Sequence, residues 1–232
     1  MQWSEFKVFG HRGFKARHPE NTLLGFRKAV EAGADGIEFD VRMTADGVPV
    51  VFHDETTKRL AGVDRDLLRT PLKELQALDV GGGERVPTLD DLFAWARGTR
   101  LVLDVELKEP EPAAIAVTLA KRHKLLDRCL FTSFWADFLE APRAAGAAVG
   151  FLASDELDDA FDVAKGLGAA AFMPSFALLS PDVVARARDH GMVTVPWTVN
   201  DPNKLQATKR WGCVGVITDW PDRGAKVRDA SI

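Results

Sequence analysis

The chain alternates short apolar runs with amphipathic stretches along nearly all of its 232 residues. Each apolar run is rich in β-branched or aliphatic residues, and apolar residues recur at helical spacing in the stretch that follows it. The eight runs span residues 6–10, 36–41, 100–107, 129–132, 148–152, 170–173, 193–197 and 214–218. Eight strands that each precede a helix form a parallel sheet, and they predict a closed (β/α)8 barrel, the TIM barrel.

The alternative for such a pattern is an open, doubly wound sheet. A sheet of that kind that binds a dinucleotide carries a G-x-G-x-x-G turn after its first strand, and the sequence has no such motif. A length of 232 residues lies within the range of one barrel. We therefore predict that residues 1–232 form a single barrel domain.

One segment interrupts the alternation after the second strand. Residues 41–53 carry Asp46-Gly47 between two extended runs, which is the pattern of a hairpin with a two-residue turn. If these two residues are the centre of the turn, Asp40 lies opposite His53. The residues that follow, about 55–88, have mixed polarity. We expect them to form a short insertion over the barrel mouth.

The charge balance limits the partners of the chain. Lys and Arg total 30 against 34 Asp and Glu, for a net charge of −4, and no basic block occurs, so nucleic acid and anionic membranes are disfavoured. No apolar run is long enough to span a membrane, and the first residues, Met1-Gln2-Trp3-Ser4-Glu5, lack the pattern of a signal peptide. These features predict a cytoplasmic protein with a small-molecule partner, and they leave its oligomeric state open.

Acidic residues at the ends of strands form the first candidate site, because barrels of this type place their chemistry there. Glu38 and Asp40 are two residues apart, so they face the same side of an extended strand, where their like charges repel unless a cation lies between them. Glu106 on the next strand can add a third carboxylate, and an all-oxygen ligand set suits Mg²⁺ or Ca²⁺. The alternative is a layer of ion pairs in which Arg or Lys neutralises the acids.

Basic and aromatic residues follow other strands at the same rim. His11 ends the first strand, and the predicted hairpin register brings His53 back to the carboxylates, so two groups that exchange protons near neutral pH flank the acids. Arg12 and Lys108 add positive charge that suits a substrate with anionic oxygens such as a phosphate, although each alone is equally typical of a surface ion pair. Trp197 ends the seventh strand, where its ring can face a substrate.

Several of these residues belong to short motifs that follow one another along the chain. The motifs are His11-Arg12-Gly13, Pro19-Glu20-Asn21-Thr22, residues 33–41, residues 44–54, Pro87-Thr88-Leu89, Glu106-Leu107-Lys108, Ser133-Phe134, residues 197–200 and residues 217–221. In order and spacing the set resembles the glycerophosphodiester phosphodiesterase family over nearly the whole chain. The short insertion and the absence of a signal peptide resemble the small cytoplasmic branch found in bacteria.

The resemblance implies a (β/α)8 barrel with an insertion after strand 2, and hydrolysis of glycerophosphodiesters to glycerol 3-phosphate and an alcohol. It implies the following roles: Glu38, Asp40 and Glu106 as ligands of one divalent cation, His11 and His53 as the acid/base pair, and Arg12, Lys108 and Trp197 as substrate contacts. We assign His53 as the base and His11 as the acid.

Other points stay open at this stage. Asp104 faces the same way as Glu106, and the family often has an uncharged polar residue there, so its role is not assigned. The attacking group is either the free glycerol hydroxyl, which would give a cyclic phosphate, or water. The alternative functions are hydrolysis of another phosphodiester of the lysophospholipid type and binding of a metal and a phosphate without catalysis.

Overall fold

A computed structural model describes residues 5–230 of the chain. The strands of this part are β1 (Lys7–His11), β2 (Gly36–Met43), β3 (Pro49–Val51), β4 (Val102–Leu107), β5 (Cys129–Ser133), β6 (Ala148–Ala153), β7 (Ala171–Pro174), β8 (Val193–Thr194) and β9 (Gly215–Thr218). Its α-helices are α1 (Leu23–Glu31), α2 (Lys58–Ala61), α3 (Leu72–Leu75), α4 (Leu89–Ala96), α5 (Ala113–Arg122), α6 (Glu140–Ala144), α7 (Leu157–Leu167), α8 (Pro181–Asp189), α9 (Pro202–Arg210) and α10 (Pro221–Asp229).

Eight of these strands are parallel and form one sheet in the order β8-β7-β6-β5-β4-β2-β1-β9, while β3 pairs antiparallel with β2. The two ends of the sheet also meet. The Val214 N–H donates to the Thr194 carbonyl at 3.1 Å, and the Ile217 N–H donates to the Pro196 carbonyl at 2.9 Å. The sheet is therefore a nearly closed barrel with helices between its strands, which confirms the predicted fold.

All eight predicted barrel strands are present, and the seventh is the one shortened most relative to its prediction. The prediction covered residues 193–197, whereas β8 ends at Thr194. Pro196 has no N–H to donate, which ends regular pairing at this point. The chain still follows the barrel wall, because the Trp197 N–H donates to the Pro174 carbonyl at 3.1 Å.

The predicted hairpin exists, but its predicted register is wrong by one residue. Val41 pairs with Val51, so Asp40 lies opposite Phe52, whose N–H donates to the Asp40 carbonyl at 3.0 Å. The turn contains three residues rather than two, and it closes with Gly47 at a φ of +76°. A left-handed residue in this position gives a three-residue turn, which an Asp-Gly pair permits equally well.

The insertion after the hairpin has a small apolar core of its own. Its buried members are Val50, Phe52, Leu67, Leu75, Val80 and Val86. The segment also contacts the loop that follows β1, since Gly81 lies against Pro19 and the Glu84 carboxylate accepts from the Leu24 N–H at 3.2 Å. The insertion thus packs beside the carboxyl end of β1.

The barrel interior is polar toward the carboxyl ends of the strands and apolar beneath this polar layer. Its apolar layer consists of Phe9, Leu130, Leu152, Ala171, Met173, Val195 and Ile217. Gly36 has no room for a side chain there, because a Cβ would lie 2.5 Å from the Phe9 ring. On the same strand Ile37 and Phe39 face the helices, so Glu38 and Asp40 face the interior above this layer.

Two sequence-based expectations concern features outside the barrel interior. Cys129 and Cys213 are free and buried, as predicted. Among residues 5–230 no helix is long and apolar enough to cross a membrane. The residues 1–4 that entered the prediction about a signal peptide lie outside the described part of the chain.

A capping box ends the insertion and begins α4. The Thr88 hydroxyl accepts from the Asp91 N–H at 3.0 Å, and the Asp91 carboxylate accepts from the Thr88 N–H at 3.2 Å. We expect Thr88→Ala to lower the free energy of unfolding by about 1 kcal/mol, measured by urea denaturation, because the helix loses its cap.

The matched control is Thr118→Ala, on the exposed face of α5, where the hydroxyl only donates to the Ala114 carbonyl. Its effect should stay within about 0.5 kcal/mol. Equal effects of the two substitutions would contradict the role of the cap.

Candidate active site

The predicted site residues meet at one cavity at the carboxyl ends of the barrel strands. The cavity has a volume of about 190 Å³, and its wall includes His11, Arg12, Glu38, His53, Glu106, Lys108 and Trp197. The remaining predicted residue, Asp40, is fully buried, 3.3 Å from Arg12 Nε and 3.4 Å from Lys108 Nζ. The fold thus brings together all eight side chains that the sequence indicated.

Three carboxylates converge at the polar end of this cavity. Glu38, Asp40 and Glu106 each offer one oxygen, and these three oxygens lie within 4.8 Å of one another. Glu38 Oε1 and Asp40 Oδ1 are buried without a hydrogen-bond partner. Buried oxygens without a partner are costly, and an oxygen-only set of this size fits a hard divalent cation. The residues present therefore fit a metal site.

The neighbouring basic groups balance this charge unequally. Burial would raise the pKa of Asp40, but Arg12 and Lys108 outweigh it and hold that pKa well below its usual range. Burial and the nearby Asp40 raise the pKa of Glu106 to about 7, even though Lys108 Nζ lies 2.5 Å from Glu106 Oε1. Burial and the same carboxylate raise the pKa of Glu38 well above its usual range. Ion pairs thus neutralise Asp40 more fully than the other two acids.

Glu38 differs from the other two acids in its partners. Its Oε2 accepts from the Arg12 backbone N–H at 2.8 Å and lies 4.0 Å from His11 Nε2. Within the described residues no Lys or Arg side chain is within ion-pair distance of it. The layer of ion pairs that the sequence left as an alternative is therefore incomplete at Glu38.

Each of the two histidines contacts a carboxylate through Nδ1. His11 Nδ1 lies 2.6 Å from Asp219 Oδ1, and the Asn200 amide donates to the other Asp219 oxygen at 2.7 Å. His53 Nδ1 lies 2.6 Å from Asp54 Oδ1. A carboxylate at Nδ1 fixes the orientation of the ring and leaves Nε2 for chemistry. Burial lowers the pKa of both histidines despite these carboxylates.

The loop after β1 holds Arg12 in a left-handed backbone conformation. Its φ is +51°, and that of Asn21 is +54°. Non-glycine residues in this conformation are strained and need support from their surroundings. The Asn21 N–H donates to the Arg12 carbonyl at 3.0 Å, and the Asn21 amide donates to Asp40 Oδ2 at 2.8 Å. The loop is therefore tied directly to the acidic cluster.

The opposite wall of the cavity is apolar. The Trp197 indole N–H donates to the Met173 carbonyl at 2.8 Å, and its ring meets Phe134 edge to face, with 5.5 Å between the ring centres. Leu152 and Ile217 complete this wall. A substrate in the cavity would thus meet charged groups on one side and an apolar surface on the other.

The chain as a whole matches a known family. A model of the glycerophosphoryl diester phosphodiesterase family matches residues 11–223, a range that contains every residue of the site. The chain belongs to this family. Its members are phosphodiesterases, so the prediction of a hydrolase is confirmed, together with the family that the sequence motifs resembled.

Curated relatives and solved structures agree with the family model. The glycerophosphodiester phosphodiesterase of Caldanaerobacter subterraneus subsp. tengcongensis is 30% identical over 229 residues, which cover 93% of this chain and 94% of that protein. The glycerophosphodiester phosphodiesterase structure from Thermotoga maritima is 31% identical with a TM-score of 0.84, covering 98% of this chain and 100% of that one. An Oleispira antarctica phosphodiesterase in complex with the product sn-glycerol-3-phosphate is 28% identical with a TM-score of 0.90, covering 97% of each chain.

Asp104, whose role the sequence left open, lies beside the acidic cluster of this family member. It pairs in register with Glu38 and is fully buried, and the Thr132 hydroxyl donates to its Oδ1 at 2.6 Å. Burial raises its pKa to about 8. It lies outside the group of three converging carboxylates.

Several supporting residues were given no role in the sequence analysis. Glu20, Asn21, Asp54 and Asp219 lie within the quoted family motifs, but nothing local shows which side chain each would contact. Arg59 lies in no quoted motif. The one sequence signal that could have indicated such residues is an acid or an amide that follows a strand.

Arg59, on α2 of the insertion, connects two sides of the site. Its guanidinium donates to both Asp54 oxygens, at 2.6 and 3.0 Å, and to both Glu20 oxygens, at 2.7 and 3.0 Å. Asp54 contacts His53, and Glu20 accepts from Arg12 at 2.9 Å. One side chain of the insertion therefore positions a histidine and an arginine of the cavity.

We expect Arg59→Ala to lower phosphodiesterase kcat by about 10- to 100-fold, as loss of such supporting contacts commonly does. The Arg59 side chain is 45% exposed, so guanidinium ion added to the assay should restore part of the activity. Thermal unfolding would check that the variant is folded.

Arg69→Ala is the matched control, because Arg69 lies on the same insertion, is 87% exposed and pairs only with Asp66. Its kcat should equal that of the wild type. Full activity of Arg59→Ala would contradict the positioning role.

Proposed function

We propose that the chain hydrolyses glycerophosphodiesters to glycerol 3-phosphate and an alcohol, with one divalent cation held by Glu38, Asp40 and Glu106. The observation that carries the proposal is the cavity itself, where three converging carboxylates lie between two histidines that each have a carboxylate partner. Family membership and the product complex of the Oleispira antarctica relative support the substrate class.

The cation is Mg²⁺ or Ca²⁺, in keeping with a ligand set made only of oxygens. When bound, it would supply positive charge to the phosphodiester oxygens and so stabilise the charge that builds up in the transition state. It would also contact Glu38 Oε1 and Asp40 Oδ1, the two buried oxygens that have no hydrogen bond.

Arg12 and Lys108 bind the anionic oxygens of the phosphodiester. Both side chains line the cavity and are largely buried, at 12% and 14% exposure, so their charges act in a low-dielectric environment. Their contacts with Asp40 fix their positions before the substrate arrives. Trp197 forms the apolar wall against which the carbon atoms of the substrate pack.

The two histidines move the protons. His53 is the base in this proposal, and its Nδ1 contact with Asp54 leaves Nε2 to accept a proton. It takes the proton of the attacking hydroxyl as the new P–O bond forms. His11 is the acid, and it gives its proton to the leaving oxygen as the old P–O bond breaks. The anionic phosphodiester favours the protonated form of His11 beside Asp219.

The attacking group is either the free hydroxyl of the glycerol or a water molecule. Attack by the hydroxyl gives a cyclic glycerophosphate that water opens in a second step, and the same two histidines serve both routes. ³¹P NMR during turnover distinguishes them, because the cyclic phosphate is a separate species.

Two other functions use the same cavity. A phosphodiesterase for lysophospholipid-type diesters would need the same charged residues on one side of the cavity. A barrel that only binds a metal and a phosphate would not need two histidines with carboxylate partners. Measuring alcohol release from a panel of glycerophosphodiesters and lysophospholipids, with and without a chelator, separates the three functions. A cytoplasmic location stays a prediction.

The first prediction of this proposal is metal dependence. Excess EDTA should abolish hydrolysis, and Mg²⁺ or Ca²⁺ should restore it. Glu38→Gln, Asp40→Asn and Glu106→Gln should each weaken metal binding and activity by about 10- to 100-fold or more while far-UV circular dichroism stays unchanged.

Glu74→Gln, at an exposed acid of the insertion, is the control and should behave as the wild type. Full activity in excess EDTA would remove the proposal of a metal-assisted reaction.

The second prediction separates the histidines by the leaving group. An alkoxide leaves poorly without a proton, whereas p-nitrophenolate needs none. His11→Ala should therefore lose about 10²- to 10⁴-fold in kcat on a diester of a simple alcohol and far less on the p-nitrophenyl diester. His53→Ala should be impaired on both, because its nucleophile still needs a base.

Recovery of His53→Ala, and not of His11→Ala, on the p-nitrophenyl diester would exchange the two roles. Equal recovery of both variants on the p-nitrophenyl diester would argue against an acid/base pair.

A further inference from the structure

A second, open groove adjoins the active-site cavity at the carboxyl ends of β5 and β6. We call it the lateral groove, and its main residues are Phe134, Trp135, Leu152, Asp155, Glu156 and Asp159. Its volume is about 540 Å³. Phe134 and Leu152 line the active-site cavity as well, so the two spaces share a wall. The groove thus lies directly beside the apolar wall of the cavity.

An exposed tryptophan forms one side of this groove. Trp135 is 64% exposed, which is the highest value for a large hydrophobic side chain in the described part of the chain. Its backbone N–H donates to the Ser133 hydroxyl at 3.2 Å, and its ring centre lies 6.4 Å from that of Phe138. An indole held at the surface beside an active site is a surface that can bind a ligand.

Carboxylates form the other side. Asp155 and Glu156 precede α7, and Asp159 lies in its first turn. Within residues 5–230 none of the three takes part in an ion pair, whereas the adjacent Asp158, which does not line the groove, pairs with Arg186. The groove is thus negative, next to a cavity whose Arg12 and Lys108 bind negative oxygens.

We propose that the lateral groove binds the positively charged end of the leaving alcohol, a primary or quaternary ammonium group. The inference rests on the proposed function and names its preferred substrates, zwitterionic glycerophosphodiesters. Such a substrate is negative at the phosphate and positive a few atoms away, which matches the order of charges from cavity to groove. The face of an indole together with carboxylates is the usual surround of an ammonium group in proteins.

The experiment compares two diesters of glycerol 3-phosphate that differ only in charge. One carries choline, and the other carries 3,3-dimethylbutanol, in which carbon replaces the ammonium nitrogen. We expect the wild type to have a higher kcat/KM for the choline diester. Trp135→Leu, which keeps an apolar contact but removes the indole face, should raise KM for the choline diester by about 2- to 30-fold and leave that of the neutral diester nearly unchanged.

The carboxylates are tested with the triple variant Asp155→Asn, Glu156→Gln and Asp159→Asn. It should raise KM for the choline diester alone, and less so at high salt, since exposed charges are screened. Asp158→Asn is the matched control, because this neighbour lies outside the groove lining, and it should keep the wild-type ratio of the two diesters.

The outcomes distinguish this inference from the proposed function. Equal kcat/KM of the wild type for the two diesters, or variants that change both alike, would overturn the lateral groove as an ammonium site and leave the hydrolase intact. If the metal-loaded wild type cleaves neither diester, the proposed function fails and the inference fails with it.

Discussion

The repulsion between Glu38 and Asp40, two residues apart on one strand inside the barrel, is the constraint on which the site depends. Both side chains face a low-dielectric interior, where like charges are costly. Arg12 and Lys108 form ion pairs with Asp40, and the Arg12 backbone N–H donates to Glu38. These contacts leave one oxygen of each acid without a hydrogen bond, and a divalent cation bound there would balance the remaining negative charge.

The surrounding residues hold Arg12 in its position beside the two acids. Arg12, whose backbone is left-handed, contacts Asp40 through its guanidinium and Glu38 through its N–H, and Asn21 supports this strained conformation. Glu20 holds the Arg12 guanidinium, and Arg59 of the insertion holds Glu20. The insertion is therefore part of the electrostatic framework of the site, although the residues that would bind the metal are on β2 and β4.

The sequence predicted the fold and the inner side chains because both have local signals. The two-residue spacing of Glu38 and Asp40 shows that they share a face, and eight repeats show a barrel. It predicted the hairpin register wrongly because Asp46-Gly47 suits turns of two or three residues. It could not pair His11 with Asp219, which lies 208 residues away and meets it only when the barrel closes. Arg59 lies 39 residues from Glu20, and no periodicity in the sequence connects them.

The apolar layer of Phe9, Leu130, Met173 and their neighbours fills the barrel beneath the carboxylates, so packed side chains bound the cavity at that end. Reactants and products would therefore exchange at the carboxyl ends of the strands. In the proposed reaction the monoester product keeps the anionic oxygens assigned to Arg12 and Lys108, so it would compete with the next diester for the same cavity. A medium in which this monoester accumulates would then slow turnover through occupation of the cavity.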